Sequence, residues 1–132
     1  TPLACPASPP LQSSLSPNGT QYPAGTQRVT LSWNSVTNAD WYDVRVDDGE
    51  TSDSANIADG TANNCGGGHD ICRNQWTGTS MEITVGQGKS YRWWVHAGGE
   101  DQSQLCSQTD SSDATFSVNA PLPTITPTPT LQ

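Results

Sequence analysis

Residues 91–97, YRWWVHA, decide the fold class of this chain, because an apolar side chain recurs along them at every second position. In an extended strand this period of two places alternate residues on opposite faces. The inward set is Tyr91, Trp93, Val95 and Ala97, and the outward set is Arg92, Trp94 and His96. Since no stretch of the chain carries a sustained 3.6-residue period, the segment predicts a strand buried on one side in an all-β protein.

Other stretches of the chain show the same alternation between turn residues. They are residues 28–34 (RVTLSWN), 41–47 (WYDVRVD), 81–85 (MEITV) and 115–119 (TFSVN), with residues 11–15 expected as a first edge strand. Their inward residues are Val29, Leu31, Trp33, Tyr42, Val44, Val46, Met81, Ile83, Val85, Phe116 and Val118. Six or seven short strands separated by turns predict an antiparallel two-sheet sandwich of about seven strands.

Composition limits the chain to one small domain with tails. It has 132 residues and a net charge of −8, and eight of its 10 prolines lie in the first ten or last twelve positions. We therefore expect a Pro-rich segment over residues 1–12, a sandwich over 13–119 with an insert at about 49–80, and a Pro/Thr-rich linker over 120–132. The negative charge disfavours nucleic acid, and no apolar run approaches the ~20 residues that cross a bilayer.

The four cysteines indicate disulfides rather than a catalytic role. An even number of cysteines in a small acidic chain is typical of an oxidising, extracellular compartment, and four cysteines allow three pairings. Cys65 and Cys72 lie close together in CGGGHDIC, which favours pairing them and leaves Cys5 with Cys106. The alternative is zinc held by Cys65, His69 and Cys72, although their spacing is not that of a CxxC pair.

The outer face of the two tryptophan-rich strands is the first candidate site. If residues 41–47 and 91–97 are neighbours, this face carries Trp41, Arg45, Arg92, Trp94 and His96. Stacking of Arg over Trp is one interpretation, and a contact face for a protein partner or a sugar ring is the other. Trp76 and Trp94 are the candidates for sugar stacking, while Trp76 is alternatively an apolar plug beneath the disulfide loop.

An acidic stretch is the second candidate site. Asp47, Asp48, Glu50 and Asp53 lie close in sequence, with Asp59 and Asp70 nearby, and calcium takes about six to eight oxygen ligands. The stretch lacks the order of an EF-hand loop, so a solvated acidic turn is the alternative. Asp48-Gly49 is expected to form a hairpin turn after residues 41–47.

The C-terminal tail offers candidate O-glycosylation sites, because threonine alternates there with other residues, mostly proline. These sites are Thr124, Thr126, Thr128 and Thr130. Asn18-Gly19-Thr20 has the form of an N-glycosylation acceptor, but Asn-Gly is also a strong turn signal, which we favour. In polyproline conformation the last twelve residues would span about 37 Å, which suits a spacer.

Several of these stretches, taken in order, resemble a fibronectin type III-like domain over residues 11–119. VTLSW (29–33), the Tyr-x-Val-x-Val strand of Tyr42, and YRWWVHA followed by ATFSV (114–118) are similar to its strands B, C, F and G. The resemblance implies that Trp33 is the buried tryptophan of strand B and that Tyr91 begins strand F. Similar modules occur as repeats in large bacterial surface or secreted proteins joined by Pro/Thr linkers.

The resemblance implies adhesion, spacing, carbohydrate association or filament building rather than enzymatic activity. We expect a non-enzymatic structural or interaction module of an extracellular surface protein or filament, whose partners are further copies or neighbouring modules. The alternatives are a glycan-binding module that uses exposed tryptophan and a calcium-stabilised adhesin repeat. We expect no catalytic residues, because no GxSxG motif is present and the acids fall in turns or on outward strand positions, where water keeps them ionised.

Overall fold

A computed structural model describes residues 5–66, 68–101, 104–106 and 110–123 of the chain. The candidate glycosylation residues Thr124, Thr126, Thr128 and Thr130 lie outside these described residues. Among the described residues, no helix is long and apolar enough to cross a membrane.

Two β-sheets form a sandwich, which confirms the predicted all-β fold class. In spatial order, the five-stranded sheet contains β1 (Thr20–Tyr22), β10 (Ala114–Val118), β7 (Ser90–Gly98), β3 (Trp41–Asp47) and β5 (Ile71–Trp76). The three-stranded sheet contains β2 (Arg28–Ser32), β6 (Ser80–Thr84) and β4 (Asn56–Ile57). A short hairpin pairs β8 (Glu100–Asp101) with β9 (Gln104–Leu105). The two sheets therefore hold more strands than the seven expected.

The core lies between the sheets and contains the apolar residues that alternate in the sequence. Val29, Leu31, Met81 and Ile83 face it from the three-stranded sheet, and Tyr42, Val44, Val46, Tyr91, Trp93, Val95, Ala97, Phe116 and Val118 face it from the other. Trp33 lies in its middle, with ring centroids 5.6 Å from Tyr42 and 6.2 Å from Trp93. Burial of these side chains is the main stabilising contribution to the sandwich.

The expected neighbourhood of residues 41–47 and 91–97 is confirmed, because β7 pairs antiparallel with β3, where Arg45 lies opposite Trp94. On its other side β7 pairs antiparallel with β10, where Phe116 lies opposite Tyr91. β1 adds to the far side of β10 in parallel orientation. This order places the outward residues of β3 and β7 side by side.

The prediction of an edge strand over residues 11–15 is wrong. Gln12–Ser14 form a short 3₁₀ helix, in which the N–H groups of Ser14 and Leu15 donate to the carbonyls of Leu11 and Gln12. The Ser14 hydroxyl also donates to the Leu11 carbonyl, at 2.8 Å. Such local hydrogen bonds compete with strand pairing, so the segment turns while still burying Leu15 in the core.

The predicted hairpin at Asp48-Gly49 is also wrong, because the chain crosses there to the other sheet. β4 pairs with β6 in the three-stranded sheet, and the chain returns to the large sheet only at β5, beside β3. The Asp47 and Asp48 carboxylates accept from the N–H groups two residues ahead, of Gly49 and Glu50, each at 2.8 Å. Two successive Asx turns therefore direct the crossing.

The structure contains two disulfides, Cys5–Cys106 and Cys65–Cys72, which confirms the favoured pairing. Because both sulfurs of Cys65 and Cys72 are bonded, the zinc alternative is wrong. Two disulfides are typical of an oxidising, extracellular environment. The first bond fixes the N-terminal segment to the body of the protein, where Pro10 is buried and the Pro17 carbonyl accepts from Trp93 Nε1 at 2.9 Å.

Candidate functional site

The outer face of β3 and β7 brings together the predicted interaction residues, but it is not an open aromatic surface. Arg92 is exposed, whereas Trp41, Arg45, Trp94 and His96 are each partly covered. The expectation that this face is exposed is therefore wrong for most of its members. Segments far away in the sequence provide the cover.

Trp94 lies beneath two side chains. The Arg92 guanidinium lies 5.1 Å from the centre of its ring, and the His69 ring meets it edge-on at 5.3 Å. Arg92 Nε also lies 3.4 Å from a carboxylate oxygen of Asp113, and His69 Nδ1 lies 3.4 Å from Asp47 Oδ2. The predicted stacking of Arg over Trp is present, and His69 is a contact that sequence reasoning missed, because it comes from the insert.

Arg45 is held in a polar setting on the same face. Its guanidinium donates to Asn74 Oδ1 at 2.7 Å and to the Val44 carbonyl at 3.1 Å. Burial lowers the pKa of Arg45, while the nearby charges of Asp43 and Asp110 act in the opposite direction. These contacts fix the side chain within the sheet surface and leave little of it for a ligand.

Asp43 and His96 complete the pairing on this face. Asp43 is only 2% exposed, so the expectation that outward acids are solvated is wrong here, and its carboxylate accepts from the Gln75 N–H at 2.9 Å. His96 Nε2 is in direct contact with the Asp110 carboxylate. The charges on this part of the sheet are therefore largely satisfied within the protein.

Trp41 packs closely against Gly98 at the end of β7. A Cβ atom added at Gly98 would lie 2.8 Å from both Cδ1 and Cε2 of the indole, so only glycine allows this approach. Trp41 Nε1 is buried and has no hydrogen-bond partner among the described residues. The ring contributes packing rather than a stacking platform.

Trp76, the other sugar-stacking candidate, closes the end of β5. It lies opposite Tyr42 in the sheet, packs against the core, and donates from Nε1 to the Ser80 carbonyl at 2.8 Å. Trp76 is half-buried, so it fits the predicted role of an apolar plug better than that of an exposed ring for sugar stacking.

The acidic residues form a smaller cluster than the one proposed for calcium. One carboxylate oxygen each from Asp47, Asp48 and Asp70 lie within 4.8 Å of one another. Glu50 instead pairs with Lys89 at 2.6 Å, and Asp53 is exposed. Asp70 joins the cluster instead of these two residues, because it directly precedes β5, which begins beside the end of β3. The sequence alone does not show that these two strands are neighbours.

Protein hydrogen bonds already occupy the acidic cluster. Asp70 accepts from the Ser54 N–H at 2.8 Å, and Asp48 accepts from the Ser54 hydroxyl at 2.7 Å. Burial raises the pKa of Asp70, which is only 2% exposed and also departs from the expected solvated acid. Burial also acts to raise the pKa of Asp48, but hydrogen bonds from Glu50 and Ser54 bring it below its usual value.

Tyr91 connects this cluster to the core strand β7. Its hydroxyl lies 2.7 Å from the Ser54 hydroxyl and accepts from the Gly86 N–H at 2.9 Å. Burial raises the pKa of Tyr91, so the phenol stays protonated and available as a donor. The cluster therefore fixes the crossing between the two sheets at the start of β7.

An open groove of about 430 Å³ crosses the outer face of the large sheet near this end. More of its surface is apolar than polar; Phe116 and Tyr91 line it together with Arg92, Asp47 and Thr115. The groove offers hydrogen-bonding groups, but none of the candidate tryptophans Trp41, Trp76 and Trp94 is among its lining residues.

The chain matches no protein-family model, no curated protein and no solved structure. What defines it is therefore its own architecture: a disulfide-bonded, all-β sandwich whose polar clusters are hydrogen-bonded within the protein.

Proposed function

We propose that this protein is a non-enzymatic spacing module of an extracellular surface protein, built on a fibronectin type III-like sandwich. The observation that carries the proposal is the position of the two ends of the domain. The chain enters at one pole of the large sheet and leaves at the opposite pole.

The entry point lies beside the end of β7. Cys5 is bonded to Cys106, and the Cys106 N–H donates to the Gly99 carbonyl at 2.9 Å. Gly99 directly follows the last residue of β7. The disulfide therefore anchors the N-terminal segment at this pole.

The exit point lies beside the beginning of β7. β10 runs antiparallel to β7, and the N–H of Val118, the last residue of β10, donates to the Lys89 carbonyl at 2.8 Å. The Asn119 N–H donates to the Tyr22 carbonyl at 2.9 Å. Because β7 has nine residues, its ends are about 26 Å apart at the rise of an extended strand. Copies joined through such ends would extend in a line.

The family resemblance is supported by the placement of its marker residues. Trp33 is buried at 4% exposure next to β2, and Tyr91 is buried at the start of β7. The neighbours that the resemblance implies, β3 beside β7, are adjacent in the large sheet. The crossing through β4 before β5 is a departure that the resemblance did not imply.

A tandem chain tests the spacing function. Two copies of the sequence are joined end to end, and small-angle scattering compares the tandem with the single chain. We expect the maximum dimension approximately to double, because the ends of the domain lie at opposite poles and Pro-rich sequences favour extended chains. A maximum dimension close to that of the single chain would show side-by-side packing and overturn the proposal. The control tandem carries a Gly/Ser linker of equal length and should be shorter on average.

The mass of the single chain separates a spacer from a filament subunit. A monomer near 14.0 kDa at all concentrations supports the spacer. Polymers that disappear when residues 124–132 are removed would instead support assembly through the C-terminal tail.

The two alternative functions have less support. For glycan binding, Trp94 is covered by Arg92 and His69, and Trp76 packs against the core. For a calcium-stabilised repeat, the carboxylates of the acidic cluster already accept main-chain and hydroxyl hydrogen bonds.

A further inference from the structure

Strand β5 lies at one edge of the large sheet, where a strand normally leaves main-chain groups unpaired. It pairs with β3 on one side only. Unpaired N–H and C=O groups at a sheet edge are a template for association with another chain, and proteins protect such edges. How the edge of β5 is protected therefore indicates whether this strand can associate with another chain.

Asn64 covers the edge at Asn74 through both atoms of its side-chain amide. Its Oδ1 accepts from the Asn74 N–H at 2.6 Å, and its Nδ2 donates to the Asn74 carbonyl at 3.0 Å. The pair of bonds reproduces what a neighbouring strand would offer to that residue.

Asn63 covers an earlier part of the edge, where its side-chain amide bridges two residues instead of one. Its Oδ1 accepts from the Cys72 N–H at 3.1 Å, and its Nδ2 donates to the Asp70 carbonyl at 3.0 Å. The Asn64 main-chain N–H donates to the Cys72 carbonyl, also at 3.0 Å. The outward main-chain groups of Cys72 and Asn74 are thus all engaged by two adjacent asparagines.

The Cys65–Cys72 disulfide holds these asparagines against the strand. Cys65 directly follows Asn64, and its partner Cys72 lies within β5 itself. On the other side of the asparagines, the Arg73 guanidinium donates to the Ala62 carbonyl at 3.1 Å. Residues 62–65, which we call the edge guard, are therefore fixed at both ends.

We propose that the edge guard keeps β5 from pairing with a second copy of this chain, and that loss of the Cys65–Cys72 bond turns β5 into a dimerisation edge. A dithiol reductant would transfer two electrons and two protons to the disulfide, giving two cysteine thiols and the oxidised dithiol. The guard is then tied at one end only, and its asparagines leave the strand.

The second copy is the fitting occupant because the edge is complementary to itself. Cys72 and Asn74 both direct their main-chain groups outward, so a two-fold rotation places Cys72 of one copy opposite Asn74 of the other. Each such pair exchanges two hydrogen bonds in an antiparallel ladder, and the two Arg73 residues face each other at the centre. The facing arginines weaken the pairing, so replacing them is expected to strengthen it.

Hydrogen exchange measures the guard directly. In the Asn63→Ala/Asn64→Ala variant, which keeps both disulfides, we expect the amides of residues 72 and 74 to exchange about tenfold faster or more. The amides that β7 shares with β3 should keep their wild-type rates. Asn34→Ala, an exposed asparagine outside the guard, is the matched control. Unchanged rates at residues 72 and 74 would overturn the guard.

Cross-linking tests the dimer and its register. We expect the C65S/C72S/R73C variant to form a covalent dimer through position 73, because facing residues of this type in an antiparallel pair lie close enough for a disulfide. C65S/C72S/E82C, with the new thiol on an exposed position of β6, should stay monomeric. A monomeric R73C variant, or equal cross-linking of both, would overturn the dimerisation edge. The exchange measurement needs no disulfide change, so it still decides on the guard should C65S/C72S not fold.

Discussion

Removing the two disulfides separately should affect stability very unequally, because they enclose very different lengths of chain. Cys5 and Cys106 are separated by 101 positions in the sequence, whereas Cys65 and Cys72 are separated by 7. Loop-closure entropy in the unfolded chain gives about 4.7 kcal/mol for the first bond and about 2.5 kcal/mol for the second. We therefore expect C5S/C106S to lose about 2 kcal/mol more than C65S/C72S does.

The structure supports this order through what each bond holds in place. Loss of Cys5–Cys106 frees a segment that includes buried Pro10 and leads to Pro17, whose carbonyl accepts from Trp93 Nε1 in the core. Loss of Cys65–Cys72 frees only the edge guard. The long-range bond therefore constrains both the unfolded chain and the packing of the entry pole.

Urea unfolding followed by tryptophan fluorescence measures the difference, since the free energy extrapolates linearly to zero denaturant. Replacing both cysteines of a pair leaves no free thiol to exchange. Should C5S/C106S be unfolded in buffer, an excluded osmolyte such as trimethylamine N-oxide restores a measurable transition. A C65S/C72S variant that loses as much stability as C5S/C106S, or more, would refute the reasoning from loop length.

Two further substitutions test packing and charge. Gly98→Ala should cost about 1–3 kcal/mol, because its Cβ would meet the Trp41 indole, whereas Gly66→Ala, with open space around it, should be neutral in the same thermal melts. Asp70→Asn should alter the pH dependence of urea unfolding. The raised pKa of Asp70 gives stability that is present below the usual value of 3.8 and is lost as pH rises through the folded-state pKa. The variant should lack this loss; an unchanged profile would contradict the burial argument.

The strands that the sequence predicts well are those with one face in the core. In β2, β7 and β10 the alternation of apolar residues follows directly from burial on a single side, so Leu31, Trp93 and Phe116 identify both the strand and its inner face. β5 carries no such alternation. Its residues, ICRNQW, contact the edge guard as well as the core, so their pattern is not set by burial on a single side. Local turn bonds at Ser14 likewise outweigh the apolar positions of residues 11–15.

The candidate site was predicted in its composition but not in its exposure. The period of two correctly places Arg45 and Trp94 on one outer face, since strand geometry alone determines this. What covers that face comes from elsewhere in the chain: His69 from the insert, Asn74 from the neighbouring strand and Asp110 from the loop before β10. Such contacts depend on the path of the chain between strands, which periodicity does not encode.

The proposed spacing function and the proposed edge guard are physically consistent with each other. Copies joined by a linker stay near each other, so neighbouring copies meet more often than free molecules do wherever the linker lets the two edges reach each other. An unprotected β5 would then pair with the β5 of the next copy and collapse the extended arrangement. On the proposal above, the two asparagines held by a short disulfide would prevent this without adding a strand. In a tandem chain, Asn63→Ala/Asn64→Ala should therefore shorten the maximum dimension, while the same change in the single chain should not.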